Sequence, residues 1–228
     1  MKLFAFINFM CYNEGVINIF GEASTYFLKG SLCVFGGKMI DIVDLLFDNP
    51  CIMAIKDNTD LKECIKDDYK NNKIVFVLYG NIENITNIVE KLKDHDKIVF
   101  VHEDLIEGLS SSSLSSSFIK KYTNADGIIT TRSQNAAYAR RIGLLSILRF
   151  FVLDSLSYKN VKETLKKANC DLVEILPGIM PKILDDIEKR TSIPIIAGGL
   201  IRDKKDVFDA LNSKAIAVSS SNYNVWKM

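Results

Sequence analysis

The chain has 228 residues, of which 48% are hydrophobic and 25% are charged, and its formal net charge is +1. This composition is ordinary for a globular protein, and the length suffices for one well-buried domain. A near-neutral total gives no global basic field that would indicate a nucleic-acid partner, although a local basic patch is compatible with it.

The sequence holds five cysteines, Cys11, Cys33, Cys51, Cys64 and Cys170. They form no CxxC pair and their number is odd, so neither a disulfide framework nor a zinc site is expected. The apolar start of the chain is short and interrupted by Asn8, which is atypical of a secretory signal, and no run has transmembrane length. We therefore expect a cytoplasmic protein with reduced thiols and no membrane partner.

Residues 1–38 contain many aromatic side chains, scattered glycines and no clear period. Three interpretations stay open for this extension. It forms an irregular plug at the bottom of the domain that follows, it contacts another subunit, or it is translated upstream sequence before a true start near Met39. Residues 39–228 are predicted to form one domain.

Eight short apolar runs, rich in β-branched residues, follow from residue 51 onward. They are Cys51–Ile55, Ile74–Tyr79, Ile98–His102, Gly127–Thr131, Leu145–Phe150, Leu172–Leu176, Ile193–Ala197 and Ala215–Ser219. Near-continuous apolar strands are typical of a parallel sheet that is buried on both faces.

The segments between these runs carry helical periodicity, as in the apolar stripe from Ile82 to Leu92. Ser155 and Asp203 are predicted N-caps, and Pro181 is predicted to lie in the first turn of a helix. Regular alternation of eight strands and helices predicts a compact α/β fold, the TIM-type (β/α)8 barrel. An open doubly wound sheet is the rival, but it predicts a glycine fingerprint after the first strand, where this chain has Lys56-Asp-Asn-Thr.

One low-complexity run, Ser110–Ser117, follows the third predicted strand. It is predicted to be a polar loop that leads into a helix with a serine N-cap. A mobile flap over the barrel mouth is the functional alternative.

The carboxyl ends of barrel strands meet at one mouth, where functional residues collect. The polar residues and glycines at the predicted ends are Lys56, His102, Glu103, Asp104, Arg132, Arg149, Glu174, Gly198, Gly199, Ser219 and Ser220.

The last two strands end in Gly198-Gly199 and Ser219-Ser220. Glycine lets a backbone approach a ligand closely, and the loops after strands seven and eight hold phosphate in many (β/α)8 barrels. The sequence therefore predicts a small phosphorylated ligand. A plain turn at the two glycines is the alternative.

Arginine forks at Arg132 and Arg149 match phosphate geometry, although either is equally a structural partner of a carboxylate. Lys56 is a point charge for the ligand, a Schiff-base amine or a solvated lysine, and the neighbouring Asp57 argues against the amine.

Acid–base chemistry is one reading of His102, Glu103 and Asp104, and metal binding is another. A single usable histidine argues against a metal site, since His95 precedes its strand at the opposite face. Asp104 and Glu174 are candidate acceptors for ligand hydroxyl groups, but the sequence does not fix which way Glu174 points.

Basic pairs occur at several predicted helices, and most such pairs are solvated faces. Arg140 and Arg141 lie beside Tyr138 and are the candidates for contact with a nucleic-acid backbone.

Five motifs, taken in order, resemble the glycerol-3-phosphate-responsive antiterminator family of bacterial glycerol uptake operon regulators. They are His102–Gly108, Gly127–Arg132, Arg149–Ser155, Glu174–Lys182 and Ile195–Ile201. The resemblance covers roughly residues 39 to 226. Departures are Leu148, where the family usually has Gln, Ser220, where Thr is common, and the serine run, which replaces a more acidic segment.

This resemblance implies a compact barrel that senses glycerol 3-phosphate and binds leader mRNA so that transcription passes a terminator. It implies no enzymatic activity, no catalytic residue and no cofactor or metal other than the ligand. In this reading Gly198, Gly199, Ser219 and Ser220 cradle the phosphate. Lys56, Arg132 and Arg149 neutralise its charge, while Asp104 and Glu174 accept from the glycerol hydroxyls. No RNA-contacting residue is carried over from the family.

A barrel enzyme acting on a small phosphate ester, such as an isomerase, aldolase or phosphodiesterase, is the alternative function. A metabolic barrel that has lost RNA binding is a third. Barrels of this kind often assemble through their outer helices, so a homodimer is one expected assembly.

Overall fold

The computed structural model of the chain describes residues 32–35, 38–110 and 112–228. Strands β1 (Leu32–Phe35) and β2 (Lys38–Asp41) pair antiparallel, and helix α1 (Ile42–Asp48) follows directly. The predicted domain boundary after residue 38 therefore falls inside β2. The three interpretations of the amino-terminal extension concern mainly residues 1–31, which lie outside the described part of the chain.

Eight further strands alternate with helices along the rest of the chain. The strands are β3 (Cys51–Ile55), β4 (Ile74–Val77), β5 (Ile98–His102), β6 (Gly127–Thr130), β7 (Leu145–Phe151), β8 (Leu172–Leu176), β9 (Ile195–Gly198) and β10 (Ala217–Ser220). The helices are α2 (Asn58–Cys64), α3 (Ile85–Lys93), α4 (Leu114–Tyr122), α5 (Ser133–Arg141), α6 (Ser155–Leu165), α7 (Pro181–Glu188), α8 (Lys204–Asn212) and α9 (Tyr223–Trp226). Short 3-10 helices occupy Asp67–Tyr69 and Glu103–Leu105.

These eight strands form a closed barrel in the order β10-β3-β4-β5-β6-β7-β8-β9, and every neighbouring pair is parallel. The predicted (β/α)8 barrel is therefore confirmed, and the open-sheet rival is wrong. Each predicted run overlaps one observed strand, because the apolar β-branched residues that marked the runs are the ones the barrel buries.

Side chains on both faces of the strands are buried. Phe76, Phe100 and Ile129 belong to the cluster inside the barrel, whereas Val77 and Val101 pack outward under the helices. The two rings inside the barrel, Phe76 and Phe100, meet edge to face with centroids 5.8 Å apart. Burial on both faces explains why the strands read as continuous apolar runs rather than alternating ones.

Local capping chemistry starts the helices that follow β7, β8 and β9. Asp203 caps α8 by accepting from the Asp206 N–H, as predicted, and Pro181 lies in the first turn of α7. The prediction for α6 was wrong by one residue. Its N-cap is Asp154, which forms a reciprocal capping box with Ser157 because the aspartate side chain accepts from the Ser157 N–H.

The serine run is partly helical. Helix α4 begins at Leu114, inside the run, and Ser113 occupies the N-cap position without a side-chain capping bond. Ser116 is fully buried, and its hydroxyl donates to Glu103 Oε2 at 2.7 Å. The run therefore leads into a helix, as predicted, but the expected serine capping bond is not formed, and Ser116 binds a buried carboxylate instead.

At the amino-terminal end of the barrel, Lys97 is almost fully buried just before β5. Its Nζ donates to the carbonyl oxygens of Tyr69 at 2.7 Å and Asn72 at 3.0 Å, which caps the 3-10 turn Asp67–Tyr69. Burial is the main cause that lowers the pKa of Lys97 to about 8. This lysine therefore ties the β3–β4 connection to β5 at an electrostatic cost.

Stability should consequently rise as the pH increases from 8 to about 10.4. Folded Lys97 releases its proton near pH 8, whereas the unfolded chain holds it until about pH 10.4, so the unfolded state binds more protons in this window. We expect Lys97→Met to remove a rise of up to about 3 kcal/mol in the free energy of unfolding. Urea denaturation at pH 7.5 and pH 10 measures it. The exposed Lys91→Met is the control, and equal pH dependence in the wild type and Lys97→Met would contradict the assignment.

Candidate functional site

A pocket of about 770 Å³ opens at the carboxyl end of the barrel strands. Polar residues and glycine in its lining include Lys56, Asp60, Arg149, Glu174, Gly199, Arg202, Ser219, Ser220, Ser221, Asn222, Tyr223 and Asn224. The apolar part of its wall includes Ala54, Leu78, Leu176, Leu200 and Ile201. The volume lies within the range of small-molecule sites, and the position is that of the functional mouth in this fold.

The strand registers group the inward-facing residues into layers of four. Strands β4, β6, β8 and β10 contribute one layer, made of Phe76, Ile129, Glu174 and Ser219. Strands β3, β5, β7 and β9 contribute the next layer toward the mouth, made of Ala54, His102, Arg149 and Gly198. The strand register therefore gives the direction of the Glu174 side chain, which the sequence left open. It faces the barrel interior.

A buried ion pair lies on the floor of the pocket. Arg149 Nε donates to Glu174 Oε2 at 2.6 Å, and the side chains are 6% and 1% exposed. Glu174 Oε1 accepts from the Ser219 hydroxyl at 2.5 Å. Both carboxylate oxygens are therefore engaged by protein donors, and the carboxylate holds Arg149 and Ser219 in place.

The terminal nitrogens of Arg149 remain available to the pocket. Within the described part of the chain, no acceptor takes a hydrogen bond from them, while Nε is held by Glu174. A guanidinium presents its donors in a rigid fork that matches an oxyanion. Because Glu174 binds Nε, the guanidinium of Arg149 is held in one orientation while its two terminal nitrogens stay available to a ligand.

The glycine pair at the end of β9 is required by its surroundings. A Cβ at Gly198 would overlap Glu174 Oε1 and the Ser219 hydroxyl, so any side chain there would displace the buried network. Gly199 has φ +74°, in the left-handed region that favours glycine. The Gly178 N–H donates to the carbonyl oxygens of Gly198 and Gly199, which fastens the loop after β8 to this turn.

Backbone donors without a protein acceptor also belong to the pocket lining. Among the described residues, none accepts a hydrogen bond from the backbone N–H groups of Gly199, Leu200 or Ser221. The Ser220 hydroxyl is engaged elsewhere, donating to the Ile201 carbonyl at 2.7 Å and accepting from the Asn222 N–H. The hydroxyls of Ser219 and Ser220 are therefore bound to other protein groups, and the backbone N–H groups of Gly199, Leu200 and Ser221 are the donors left for a ligand.

The carboxyl-terminal helix α9 forms one wall of the pocket. The Tyr223 hydroxyl donates to Asp60 Oδ1 at 2.6 Å, and Asp60 Oδ2 accepts from the Lys56 backbone N–H at 2.8 Å. The hydrogen bond to Asp60 is the main cause that raises the pKa of Tyr223. The Lys56 side chain is exposed at this wall. Sequence reasoning missed Asp60 and Tyr223, because their pairing joins the two ends of the barrel.

Of the residues predicted to bind the ligand, Gly198, Asp104 and Arg132 are not part of the pocket lining. Asp104 Oδ2 accepts from the Thr131 N–H at 2.8 Å and the Thr130 hydroxyl at 3.1 Å. Its other oxygen lies 3.5 Å from Arg132 Nε. The 3-10 turn after β5 directs this carboxylate to the end of β6, so Asp104 and Arg132 contact each other there.

His102, at the end of β5, faces the barrel interior and is 3% exposed. Its Nδ1 is buried and has no hydrogen-bond partner among the described residues. Burial lowers the pKa of His102 to about 4, and the nearby Arg149 charge adds to the effect. The imidazole is therefore neutral at physiological pH. Behind it, burial raises the pKa of Glu103, which accepts from Asn135 Nδ2 at 2.6 Å.

The two arginines predicted to contact nucleic acid differ in their surroundings. Arg140 Nε lies 3.0 Å from the buried carboxylate of Asp171, and its guanidinium also donates to Asn169. Arg141 is exposed, with its guanidinium carbon 5.2 Å from the centre of the Tyr138 ring. Both end helix α5, at the amino-terminal face of the barrel and opposite the pocket.

The described residues contain no group of three or more His, Cys, Asp or Glu side chains that could hold a metal ion. Across the same residues, none of the helices combines the length and apolar character needed to span a bilayer.

This chain is similar to a known family and to known proteins. The family described as glycerol-3-phosphate responsive antiterminator matches residues 51–226. The uncharacterized protein YgcP of Escherichia coli (strain K12) is 41% identical over 187 residues, which cover 82% of this chain and 96% of that protein.

Two solved structures of proteins named for glycerol uptake operon antitermination are similar to this chain. The glycerol uptake operon antiterminator regulatory protein of Listeria monocytogenes (str. 4b F2365) has a TM-score of 0.75 and 29% identity, covering 79% of this chain and 96% of that one. A glycerol uptake operon antiterminator-related protein of Thermotoga maritima MSB8 has a TM-score of 0.69 and 33% identity, covering 78% of this chain and 98% of that one. The chain therefore belongs to the glycerol-3-phosphate-responsive antiterminator family.

Proposed function

We propose that this protein is a cytoplasmic sensor that binds glycerol 3-phosphate at the barrel mouth and, in response, binds the leader mRNA of glycerol-utilisation genes. Family membership supports the regulatory role, and the relatives' descriptions refer to glycerol uptake operons. The single observation that carries the ligand assignment is the arginine fork of Arg149, held by Glu174 and open to the pocket.

The phosphate binds between this fork and the turn after β9. Amides of Gly199 and Leu200 supply donors from one side, and the Ser221 amide supplies one from the turn after β10. Backbone donors and an arginine fork are groups that bind phosphate oxygens. Because Glu174 balances the charge of Arg149, the net positive charge at the site has to come from another group. The exposed amine of Lys56 adds a positive charge at the opposite wall.

The roles of the acidic residues change from those expected from sequence. Glu174 positions Arg149 and Ser219 rather than accepting from the ligand, since both of its oxygens are occupied. Asp104 and Arg132 order the loop after β6. Ser219 and Ser220 support the phosphate turn from within, and Gly198 makes room for the Glu174 carboxylate.

An enzyme on this scaffold is the alternative, because (β/α)8 barrels support many chemistries. Such an enzyme needs an acid–base pair beside the reacting atoms. Asp104 and Glu174 are the carboxylates to consider for this pair, but both oxygens of Glu174 are engaged and Asp104 lies outside the pocket lining. We therefore favour a sensor without catalytic residues.

Binding of the ligand is proposed to order the mouth loops, including the loop that starts at Ser110, and so to favour an RNA-competent surface or homodimer. This coupling requires that the ligand bind the two states with different affinity. Of the two arginines at the end of α5, the exposed Arg141 is the better candidate for RNA contact, because Arg140 is already paired with Asp171.

Arg149→Lys should weaken glycerol 3-phosphate binding at least tenfold, because lysine keeps the charge that balances Glu174 but loses the fork. Calorimetric titration with glycerol 3-phosphate measures the affinity. Arg132→Lys is the matched control, since sequence alone treats the two arginines alike. Equal affinity in the wild type and Arg149→Lys, or an equal loss in both variants, would contradict the assignment.

Retardation of leader RNA in a native gel at fixed salt should depend on glycerol 3-phosphate, because the ligand shifts the population of the RNA-competent state. Arg149→Lys should need a higher ligand concentration for the same retardation, and Arg141→Ala should weaken RNA binding without changing ligand affinity. Retardation that is the same with and without ligand would refute the sensor proposal.

A further inference from the structure

The histidine inside the barrel has no assigned role in the phosphate site. His102 is the last residue of β5, and the strand registers place it in the same layer as Ala54, Arg149 and Gly198. Two members of that layer, Ala54 and Arg149, line the pocket. The imidazole therefore lies at the level of the pocket floor, beside the arginine fork.

The histidine carries an unsatisfied polar atom in this position. It is 3% exposed, and Nδ1 finds no hydrogen-bond partner among the residues that the structure describes. A buried polar nitrogen without a partner is destabilising by the cost of its desolvation. Such atoms are rare in folded proteins, and a ligand group that supplies the missing hydrogen bond removes the cost.

The strand order fixes where His102 lies relative to the turn after β9. Strand β5 lies four places from β9 in the closed sheet, so His102 and the Gly198–Gly199 turn stand on opposite sides of the mouth. His102 is not part of the pocket lining, whose residues come from β3, β4 and β7 to β10 or from the segments that follow them. A ligand hydroxyl would therefore reach the imidazole beside Arg149, whose charge already acts on the histidine.

We propose that His102 is the residue that recognises a hydroxyl group of the ligand and so distinguishes a polyol phosphate from a phosphate ester without hydroxyls. A neutral imidazole suits this task, because one ring nitrogen accepts and the other donates. This inference rests on the proposed function, and it concerns the hydroxyl groups of the ligand, which the phosphate-binding groups do not contact. It gives His102 the hydroxyl contact that the sequence assigned to Asp104 and Glu174.

The test compares glycerol 3-phosphate with n-propyl phosphate, which has the same ester and no hydroxyls. We expect the wild type to prefer glycerol 3-phosphate by about tenfold, the effect of one well-formed hydrogen bond. His102→Leu should lose this preference while keeping the affinity for propyl phosphate. His102→Asn should restore most of it, because the asparagine amide reaches the position of Nδ1. His95→Leu, a change in the chain's other histidine, should keep the preference.

A second measurement stands even if His102→Leu does not fold. The chain has two histidines, so a ¹⁵N-histidine-labelled sample of the whole protein gives two ring spectra, and His102→Asn assigns them. Glycerol 3-phosphate should move the Nδ1 resonance of His102, and propyl phosphate should leave it nearly in place.

The outcomes separate this inference from the proposed function. If the wild type binds neither ester, the proposed function fails and the inference fails with it. If the wild type binds both esters with equal affinity, or if His102→Leu keeps the preference, the phosphate site stands and the role of His102 is overturned. Equal loss of both affinities in a folded His102→Leu variant would reduce the histidine to a support for Arg149.

Discussion

Inside the barrel, the guanidinium of Arg149 and the carboxylate of Glu174 lie side by side, 2.6 Å apart and shielded from water. Burying two charges costs several kcal/mol each, and their attraction offsets this only when the remaining hydrogen bonds are made. Glu174 meets that condition because Ser219 donates to its second oxygen. Arg149 keeps its terminal nitrogens open to the pocket. The rest of the site depends on this asymmetry, since a fully paired arginine would leave nothing for an anion.

The same pair constrains the sequence around it. Gly198 is glycine because the Glu174 carboxylate fills the space of a side chain. The turn beyond it takes a positive φ at Gly199 and is held by the Gly178 N–H, which connects the Leu-Pro-Gly motif after β8 to the phosphate corner. The loop after β8 and the turn after β9 are thereby fixed relative to the buried pair. A ligand that engages the fork and the turn together therefore acts on a rigid floor, and the loops around the mouth are the parts left to respond.

Much of the fold follows from the sequence, because each strand is a short apolar run and each run is buried on both faces. Local chemistry also predicted the cap at Asp203, and it missed the cap at Asp154 by one residue.

The direction of individual side chains was harder to predict from the sequence. The inward orientation of Glu174 depends on the register between β7 and β8, which a single sequence does not specify. The pairing of Asp60 with Tyr223 joins residues 163 positions apart, and no local pattern announces it. Arg132 and Arg149 look alike in sequence, yet only one faces the pocket, because the 3-10 turn after β5 brings Asp104 to the other.

The amino-terminal face of the barrel carries a different set of interactions. Lys97, and Arg140 with Asp171, hold connections at that end, far from the mouth. Contacts that hold the connecting segments and groups that line the pocket thus lie at opposite ends of the strands, as the barrel architecture favours. Substitutions at one end are expected to leave the other largely intact.

The most direct measurement of the central claim is a crystal structure of this protein soaked with glycerol 3-phosphate. The account places the phosphate oxygens within hydrogen-bond distance of the Arg149 terminal nitrogens and of the Gly199 and Leu200 amides, with the Arg149–Glu174 contact preserved. Phosphate bound elsewhere on the barrel, or an Arg149 that leaves Glu174 to reach it, would contradict the account.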